Sequence, residues 1–145
     1  MLIRGSWWVC SDGTPRPTVP VDVLDAQGSP VHRRFLLDSG ADATVFSAAL
    51  LADLGLPTSL PTGLSFQGVG GSTSVVDNST VLELTCDDGG TARVRGQFAA
   101  FTDPRASDMS VLGRDILDLF DVIMSRRRNE VLLLSQNHDY TVMGP

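Results

Sequence analysis

The 145-residue sequence contains no lysine, and all eleven of its basic side chains are arginine. We attribute this bias to genome composition rather than to function. Acidic residues outnumber basic ones by seventeen to eleven, which gives a formal net charge of -6 and a pI near 4.6. This balance argues against nucleic acid and anionic membrane surfaces as partners, because both attract positive charge.

Cysteine is also scarce. Cys10 and Cys86 are too few for a disulfide framework, and neither lies at a metal-ligand spacing, so we expect two buried or partly buried thiols. His32 and His138 have no ligand partners at a suitable spacing either, and neither a metal nor an organic cofactor is expected. No apolar stretch is long enough for a signal-peptide core or a transmembrane span. We therefore expect a cytoplasmic protein without a membrane partner.

The overall composition is that of one globular domain. Hydrophobic residues make up 42% of the chain and the mean hydropathy is +0.08, which is enough for a single packed core. Short alternating or apolar runs bounded by turn residues predict a strand-dense chain. The predicted strands cover residues 18–24, 31–37, 43–46, 81–85 and 92–101.

Two segments have helical patterns. Ser47 is predicted to cap a helical turn over 48–54 that stops at Gly55. After Gly113, apolar residues recur at helical intervals through Phe120, which predicts the one clear helix. Two later apolar runs, 122–124 and 131–134, predict a C-terminal hairpin with a charged tip.

The most informative motif is an acid at the end of an apolar strand. Asp38, Ser39 and Gly40 directly follow three large apolar residues. The apolar residues would exclude water from the carboxylate, the serine hydroxyl could bond the backbone of the turn, and the glycine permits close backbone approach. This is the arrangement that an aspartic protease needs.

One such loop is not sufficient for that chemistry, which takes two carboxyl groups that share a proton. The chain has no second Asp-Ser/Thr-Gly triplet, and a monomeric two-lobed protease would need about twice its length. A homodimer would supply Asp38 twice across a twofold axis. The hypothesis of catalysis therefore depends on the oligomeric state.

Three segments in order resemble the retropepsin-like aspartic proteases, the single-lobed class of retroviral proteases and their cellular and bacterial relatives. They are L-L-D-S-G-A-D-A-T-V-F-S at 36–47, F-Q-G-V-G-G at 66–71 and V-L-G-R-D-I-L at 111–117. The resemblance implies an all-β fold, a small closed barrel with one short C-terminal helix and a β-hairpin flap. It also implies one domain over 1–145, with its core at about 16–134, an N-terminal extension at 1–15 and a C-terminal tail at 135–145.

The resemblance also implies residue roles. Asp38 of each subunit would activate water, Ser39 would bond the opposite loop across the axis, and Gly40 would complete the catalytic triplet. Gly113 would leave room for this loop, and Arg114 would anchor it through Asp42. The predicted substrate-binding residues are Ala41, Asp42, Ala43, Gln67, Gly68, Val69 and Ile116.

The predicted activity is that of an aspartic endopeptidase. Apolar side chains such as Leu36, Val45, Val69 and Ile116 would line its subsites and favour hydrophobic residues around the cut bond. Because two neighbouring carboxylates do not ionise together easily, activity should favour acidic to mildly acidic pH.

Other interpretations stay open. The same fold could serve as a catalytically silent dimerisation or peptide-binding module that captures extended peptides as added strands. The glycine-rich segment is a plain surface hairpin in the simpler interpretation, whereas a phosphate-binding loop is disfavoured because no G-K-[ST] follows it. Trp7 and Trp8 could pack across a dimer surface, occupy the cleft or cover the barrel.

Overall fold

The computed structural model describes residues 1–60, 66–68, 71–141 and 143–144. Within these residues the chain forms eleven strands and two short helices. The strands are β1 (Leu2–Val9), β2 (Pro15–Leu24), β3 (Pro30–Leu37), β4 (Val45–Phe46), β5 (Phe66–Gly68), β6 (Gly71–Thr73), β7 (Val75–Thr85), β8 (Thr91–Phe101), β9 (Ser110–Leu112), β10 (Phe120–Ser125) and β11 (Glu130–Ser135). The helices are α1 (Ala48–Leu54) and α2 (Arg114–Leu117).

Six strands close into a barrel in the order β2-β3-β9-β4-β8-β7. The barrel closes where β7 returns to β2, with Glu83 opposite Asp22 and Leu82 opposite Val23. Closure leaves these strands without a free edge and encloses one core. The prediction of a small closed barrel is confirmed.

Three aromatic rings fill the barrel beside the loop that follows β3. Phe46 contacts Phe35 edge-on, with ring centroids 5.8 Å apart, and stacks on Phe98 at 5.5 Å. All three side chains are buried. Since offset and edge-to-face pairs of this kind stabilise a core beyond their buried area, they hold β3, β4 and β8 firmly together under the loop.

The N-terminal strand joins the barrel to a second group of strands. The first half of β1 pairs with β11 and the second half pairs with β2. Gly5 lies at the changeover, where a Cβ atom would come within 2.1 Å of the carbonyl oxygen of Thr18, so only glycine allows this approach. Trp7 packs against the core, while Trp8 is 48% exposed and lies under the guanidinium group of Arg34.

The helices differ in part from the predictions. Ser47 caps α1 by accepting a hydrogen bond from the Leu50 amide, and Gly55 ends the helix in the left-handed conformation, both as predicted. The predicted helix after Gly113 is only one turn long, because Phe120 already pairs with Ser135 in the β10–β11 hairpin. Tertiary pairing overrides the helical spacing there.

Two further findings concern the predicted thiols and the helices. Both cysteines are free and buried, in agreement with their predicted state. No helix in the described part of the chain is long and apolar enough to cross a membrane.

Candidate active site

The loop that carries Asp38 passes over the end of a central strand. We call residues 38–44, which connect β3 to β4, the Asp38 loop. Strand β9 lies between these two strands, parallel to β3 and antiparallel to β4. The loop must therefore cross the C-terminal end of β9 to reach its far side. This crossing brings the first and third sequence motifs together.

Backbone contacts fix the position of Asp38. Its amide donates a hydrogen bond to the carbonyl oxygen of Leu112 at 3.1 Å, at the end of β9. The Ala41 amide donates to the Asp38 carbonyl oxygen at 3.1 Å, and the Gly40 amide donates to Asp38 Oδ1 at 2.9 Å. The carboxylate thus lies in a tight turn, partly exposed, with Ser39 and Gly40 on the open surface.

Gly113 provides the space for the crossing. A Cβ atom there would lie 2.5 Å from both the carbonyl carbon and the carbonyl oxygen of Ala43, and 2.9 Å from the Thr44 nitrogen. These are backbone atoms, so a side chain at this position would force the loop to move. A glycine is needed directly after β9 because the backbone of residue 113 contacts the backbone of the Asp38 loop at this point.

The Asp38 loop also caps α2. The first amides of a helix have no partner within the helix and need an acceptor elsewhere. Here the Arg114 amide donates to the Ala41 carbonyl oxygen at 2.8 Å, and the Asp115 amide donates to the Asp42 carbonyl oxygen at 3.2 Å. The helix and the loop consequently hold each other through main-chain atoms.

The predicted pair of Asp42 and Arg114 is present as an ion pair and hydrogen bond. Both side chains are largely open to solvent, with 83% of Asp42 and 52% of Arg114 exposed. Exposed ion pairs contribute little to stability because water screens them. The pair is placed to orient Asp42 at the rim of the Asp38 loop.

A second acidic residue, Asp115, is exposed itself but braces the loop through buried atoms of Thr44, and it was not among the predicted site residues. Asp115 Oδ1 accepts hydrogen bonds from the Thr44 amide at 2.9 Å, from Thr44 Oγ1 at 2.7 Å and from the Ile116 amide at 3.0 Å. Thr44 is 1% exposed, and its Oγ1 in turn accepts a hydrogen bond from the Gly113 amide at 3.1 Å.

A sequence signal for part of this network does exist. Asp115 follows Gly113 in the first turn of α2, where an acid favours the helix start. Its partner Thr44 lies 71 residues away, however, and no local pattern joins the two.

The predicted substrate-binding residues do not all lie on an open surface. Asp42 is exposed, and Ala41 and Ala43 are half-buried beside the Asp38 loop. Ile116 belongs to the core with 1% of its surface exposed, and Val45 is 3% exposed. Both side chains therefore lie in the core beneath the Asp38 loop. Their contact with a peptide stays a prediction.

The glycine-rich segment contains a β-hairpin. Its strands β5 and β6 pair antiparallel, with Gln67 opposite Ser72 and Gly68 opposite Gly71. The predicted contact through Val69 lies outside the described residues. The role of this hairpin as a flap stays a prediction.

Comparison with known proteins agrees with this geometry. The profile of a family described as aspartyl protease matches residues 19–116, a span that includes the Asp38 loop and reaches into α2. The chain belongs to this aspartyl protease family. The retropepsin-like character predicted from three motifs is confirmed, and no curated protein sequence matches the chain significantly.

Two solved structures show the retropepsin-like fold. EIAV protease complexed with the inhibitor HBY-793 is 26% identical over 71% of this chain and 86% of that chain, with a TM-score of 0.51. A retropepsin-like aspartic protease from Rickettsia conorii is 14% identical over 92% of this chain and 88% of that chain, with a TM-score of 0.58.

Proposed function

We propose that this aspartyl protease family member is an active endopeptidase that works as a homodimer. Each subunit contributes one Asp38 carboxyl group, and the pair holds a single water molecule and a single shared proton. The β5–β6 hairpin closes over the bound peptide as a flap and excludes water. Ser39 of each subunit bonds the opposite loop and keeps the two carboxyl groups coplanar.

The reaction is a hydrolysis without a covalent intermediate. The ionised carboxylate takes a proton from water as the water oxygen attacks the peptide carbonyl carbon, and the protonated carboxyl group donates its proton to the carbonyl oxygen. The C–N bond then breaks as the amine nitrogen receives a proton from the first carboxyl group, while the second carboxylate takes back a proton from one hydroxyl group of the tetrahedral diol. The products are one new carboxyl terminus and one new amine.

The observation that carries this proposal is the placement of Asp38. Its partly exposed carboxylate lies in a loop that is hydrogen-bonded to β9, caps α2 and is braced by Asp115 through Thr44. A rigidly held acid at an open surface can meet its symmetry mate without reorganisation, as catalytic preorganisation requires.

The decisive experiment is cleavage of an unstructured protein between about pH 3.5 and 7, with the wild type beside Asp38→Asn. Asparagine keeps the size of the side chain but cannot take or give the shared proton. We expect cleavage between hydrophobic residues by the wild type alone, with the masses of the products identifying the cut sites.

The controls separate the proposed activity from its alternatives. Equal cleavage by wild type and Asp38→Asn would refute the mechanism. If neither protein cleaves while both are dimeric and bind extended peptides, the chain is a silent peptide-binding module instead. Mass measurement of the protein itself would show whether its own ends are trimmed.

A further inference from the structure

A cavity of about 310 Å³ lies where the end of β1 meets β3 and the beginnings of α1 and β9. We call it the Trp8 cavity, and its lining includes Trp8, Cys10, Arg34, Ala49 and Met109. Arg34 precedes Asp38 by four residues, which is roughly 13 Å along an extended strand. The cavity is therefore separate from the candidate active site. Its volume falls within the range of small-ligand sites, about 300–1,000 Å³.

The guanidinium group of Arg34 is held in place at this cavity. It lies 4.0 Å from the centroid of the Trp8 ring, a cation–π contact. Its Nη1 donates hydrogen bonds to the hydroxyl oxygens of Thr18 at 3.2 Å and Ser6 at 3.4 Å. Within the part of the chain that the structure describes, Nε and Nη2 form no hydrogen bond. These two nitrogens are the pair that can bind both oxygens of one carboxylate.

The charge of Arg34 favours an anionic ligand. The neighbouring Arg33 already pairs with Asp53 and donates to the His32 carbonyl oxygen. In contrast, none of the described acidic side chains forms an ion pair with Arg34. Asp108 lines the cavity from an exposed position and would repel a doubly charged ligand. One positive charge near one acid thus suits a carboxylate better than a phosphate.

Much of the remaining wall is apolar. The Trp8 ring is 48% exposed, and the Cys10 sulfur lies 3.8 Å from the Met109 sulfur. An aromatic ring and a thioether adapt well to an apolar side chain, because one offers a large flat surface and the other is flexible and polarizable. A ligand that fits the cavity therefore combines a carboxylate with an apolar group.

We propose that the Trp8 cavity binds the free carboxyl terminus of a peptide whose last side chain is apolar. The carboxylate contacts Nε and Nη2 of Arg34, and the last side chain packs against Trp8 and Met109. Asp108 accepts a hydrogen bond from a peptide amide, which a simple organic acid does not have. This inference goes beyond the proposed function, because no residue of the Asp38 loop takes part. Cleavage after hydrophobic residues would nevertheless produce peptides of this kind.

The test uses the full chain with Asp38→Asn, so that cleavage does not consume the probe. The probe is a fluorescein-labelled alanine peptide that ends in phenylalanine with a free carboxylate, and fluorescence anisotropy measures its binding. The same peptide with a C-terminal amide should bind about ten- to hundredfold more weakly, because Arg34 loses its charged partner. A glycine in the last position should weaken binding about tenfold or more, because the apolar contact is lost.

Two pairs of variants locate the site in the same background. Arg34→Gln should weaken binding about ten- to hundredfold, whereas Arg95→Gln removes an exposed arginine of β8 and should have no effect. Ala49→Glu places a carboxylate on the cavity wall and should weaken binding about tenfold. Ala52→Glu adds the same charge at another exposed position of α1 and is its matched control. Circular dichroism verifies folding, and Ala49→Glu keeps the test decisive if Arg34→Gln unfolds.

The outcomes are independent of catalysis, since every protein in the test lacks the Asp38 carboxylate. Selective loss of binding in Arg34→Gln and Ala49→Glu supports the site even if the wild type cleaves nothing. Equal binding of the acid and the amide, or no saturable binding up to about 1 mM probe, overturns it. Competition by inorganic phosphate or by 3-phenylpropionate at the concentration at which the unlabelled peptide competes also overturns it. The first result would show a plain anion site and the second a site for simple organic acids.

Discussion

Two acidic residues of the same site hold the Asp38 loop in different ways. Asp115 accepts hydrogen bonds from a buried amide and a buried hydroxyl of Thr44. Asp42 pairs with Arg114 at the rim, where water reaches both side chains. Only the second pair is visible in the sequence, as two opposite charges in the first and third motifs.

The difference shows which kind of contact determines the geometry of the loop. A buried donor that loses its acceptor costs about 1–3 kcal/mol, whereas an exposed ion pair contributes about 0–1 kcal/mol. The main-chain bonds from α2 to Ala41 and Asp42 would also persist without the Arg114 side chain. The contacts at Gly113, Thr44 and Asp115 should therefore stabilise the Asp38 loop more than the Asp42–Arg114 pair does. Four substitutions test this ranking of the contacts.

Gly113→Ala should have the largest effect. Its Cβ atom would overlap the backbone at Ala43, so the loop or β9 must shift, at a cost of about 3 kcal/mol or more in the free energy of unfolding. Urea unfolding would measure the loss of stability, and peptide cleavage would measure the loss of activity that displacement of the loop should cause. Gly144→Ala is the matched control, because its Cβ atom would have no neighbour within 4 Å. Wild-type stability in Gly113→Ala would show that the crossing is looser than described.

Asp115→Ala should rank second. It leaves the Thr44 amide and hydroxyl without their acceptor and should lower the free energy of unfolding by about 1–3 kcal/mol, with a matching loss of activity. Asp115→Asn keeps an accepting oxygen and should recover most of the loss. Asp139→Ala, at an exposed position near the C-terminus, controls for the change in charge. No difference between the Ala and Asn variants would mean that charge, not hydrogen bonding, matters at this position.

Removal of the rim pair should have a smaller effect on stability. Arg114→Ala and Asp42→Ala should each lower the free energy of unfolding by less than about 1 kcal/mol, and 0.5 M salt should reduce the difference further. A double-mutant cycle with both substitutions isolates the pair. If Asp42 contacts the peptide, its substitution will raise KM more than that of Arg114 does. A coupling energy as large as the Asp115 effect would reverse the order proposed above.

The smallest effect is expected far from the site, in the turn between β1 and β2. The hydrogen bond from Arg16, and then the bond from the Thr14 amide, hold the pKa of Asp12 well below its usual range. A lowered pKa contributes stability above the unfolded value of about 3.9 and loses it as the pH falls below that value. Asp12 is exposed and Arg16 is half-buried, so water screens the pair and Asp12→Asn should match the wild type closely.

Urea midpoints at pH 3 and pH 6 would check the effect of Asp12→Asn. Any small difference from the wild type should be present at pH 6 and should shrink at pH 3. A difference that grows on acidification would contradict the sign derived from the lowered pKa.

Local motifs predicted the centre of the site and most of the barrel strands. The Asp38 turn, the capped α1 and the strands on either side of them depend on neighbouring residues, so their patterns are legible in a short window. The contact of Thr44 with Asp115 joins residues 71 positions apart. Such a contact exists only because the loop crosses β9, and neither composition nor periodicity can predict it.

The first strand and the segment after α2 were harder to predict from the sequence, for a related reason. Nothing in the first nine residues alternates clearly, yet they form β1, because β11 and β2 supply its partners. Phe120 fits a helical period as well as a strand, and its pairing with β11 places it in a strand. Strand pairing, not local preference, determines both segments.

The pairing of β1 with β11 has a consequence for how the molecule folds. Leu2 lies opposite Leu134, and the Trp7 amide bonds the side chain of Asn129, so contacts of the greatest sequence separation link the first strand to the last. Contacts of this kind slow folding, because a long loop must close before they form. During synthesis, the first half of β1 therefore has no strand partner until β11 has been made, whereas its second half can pair with β2 at once.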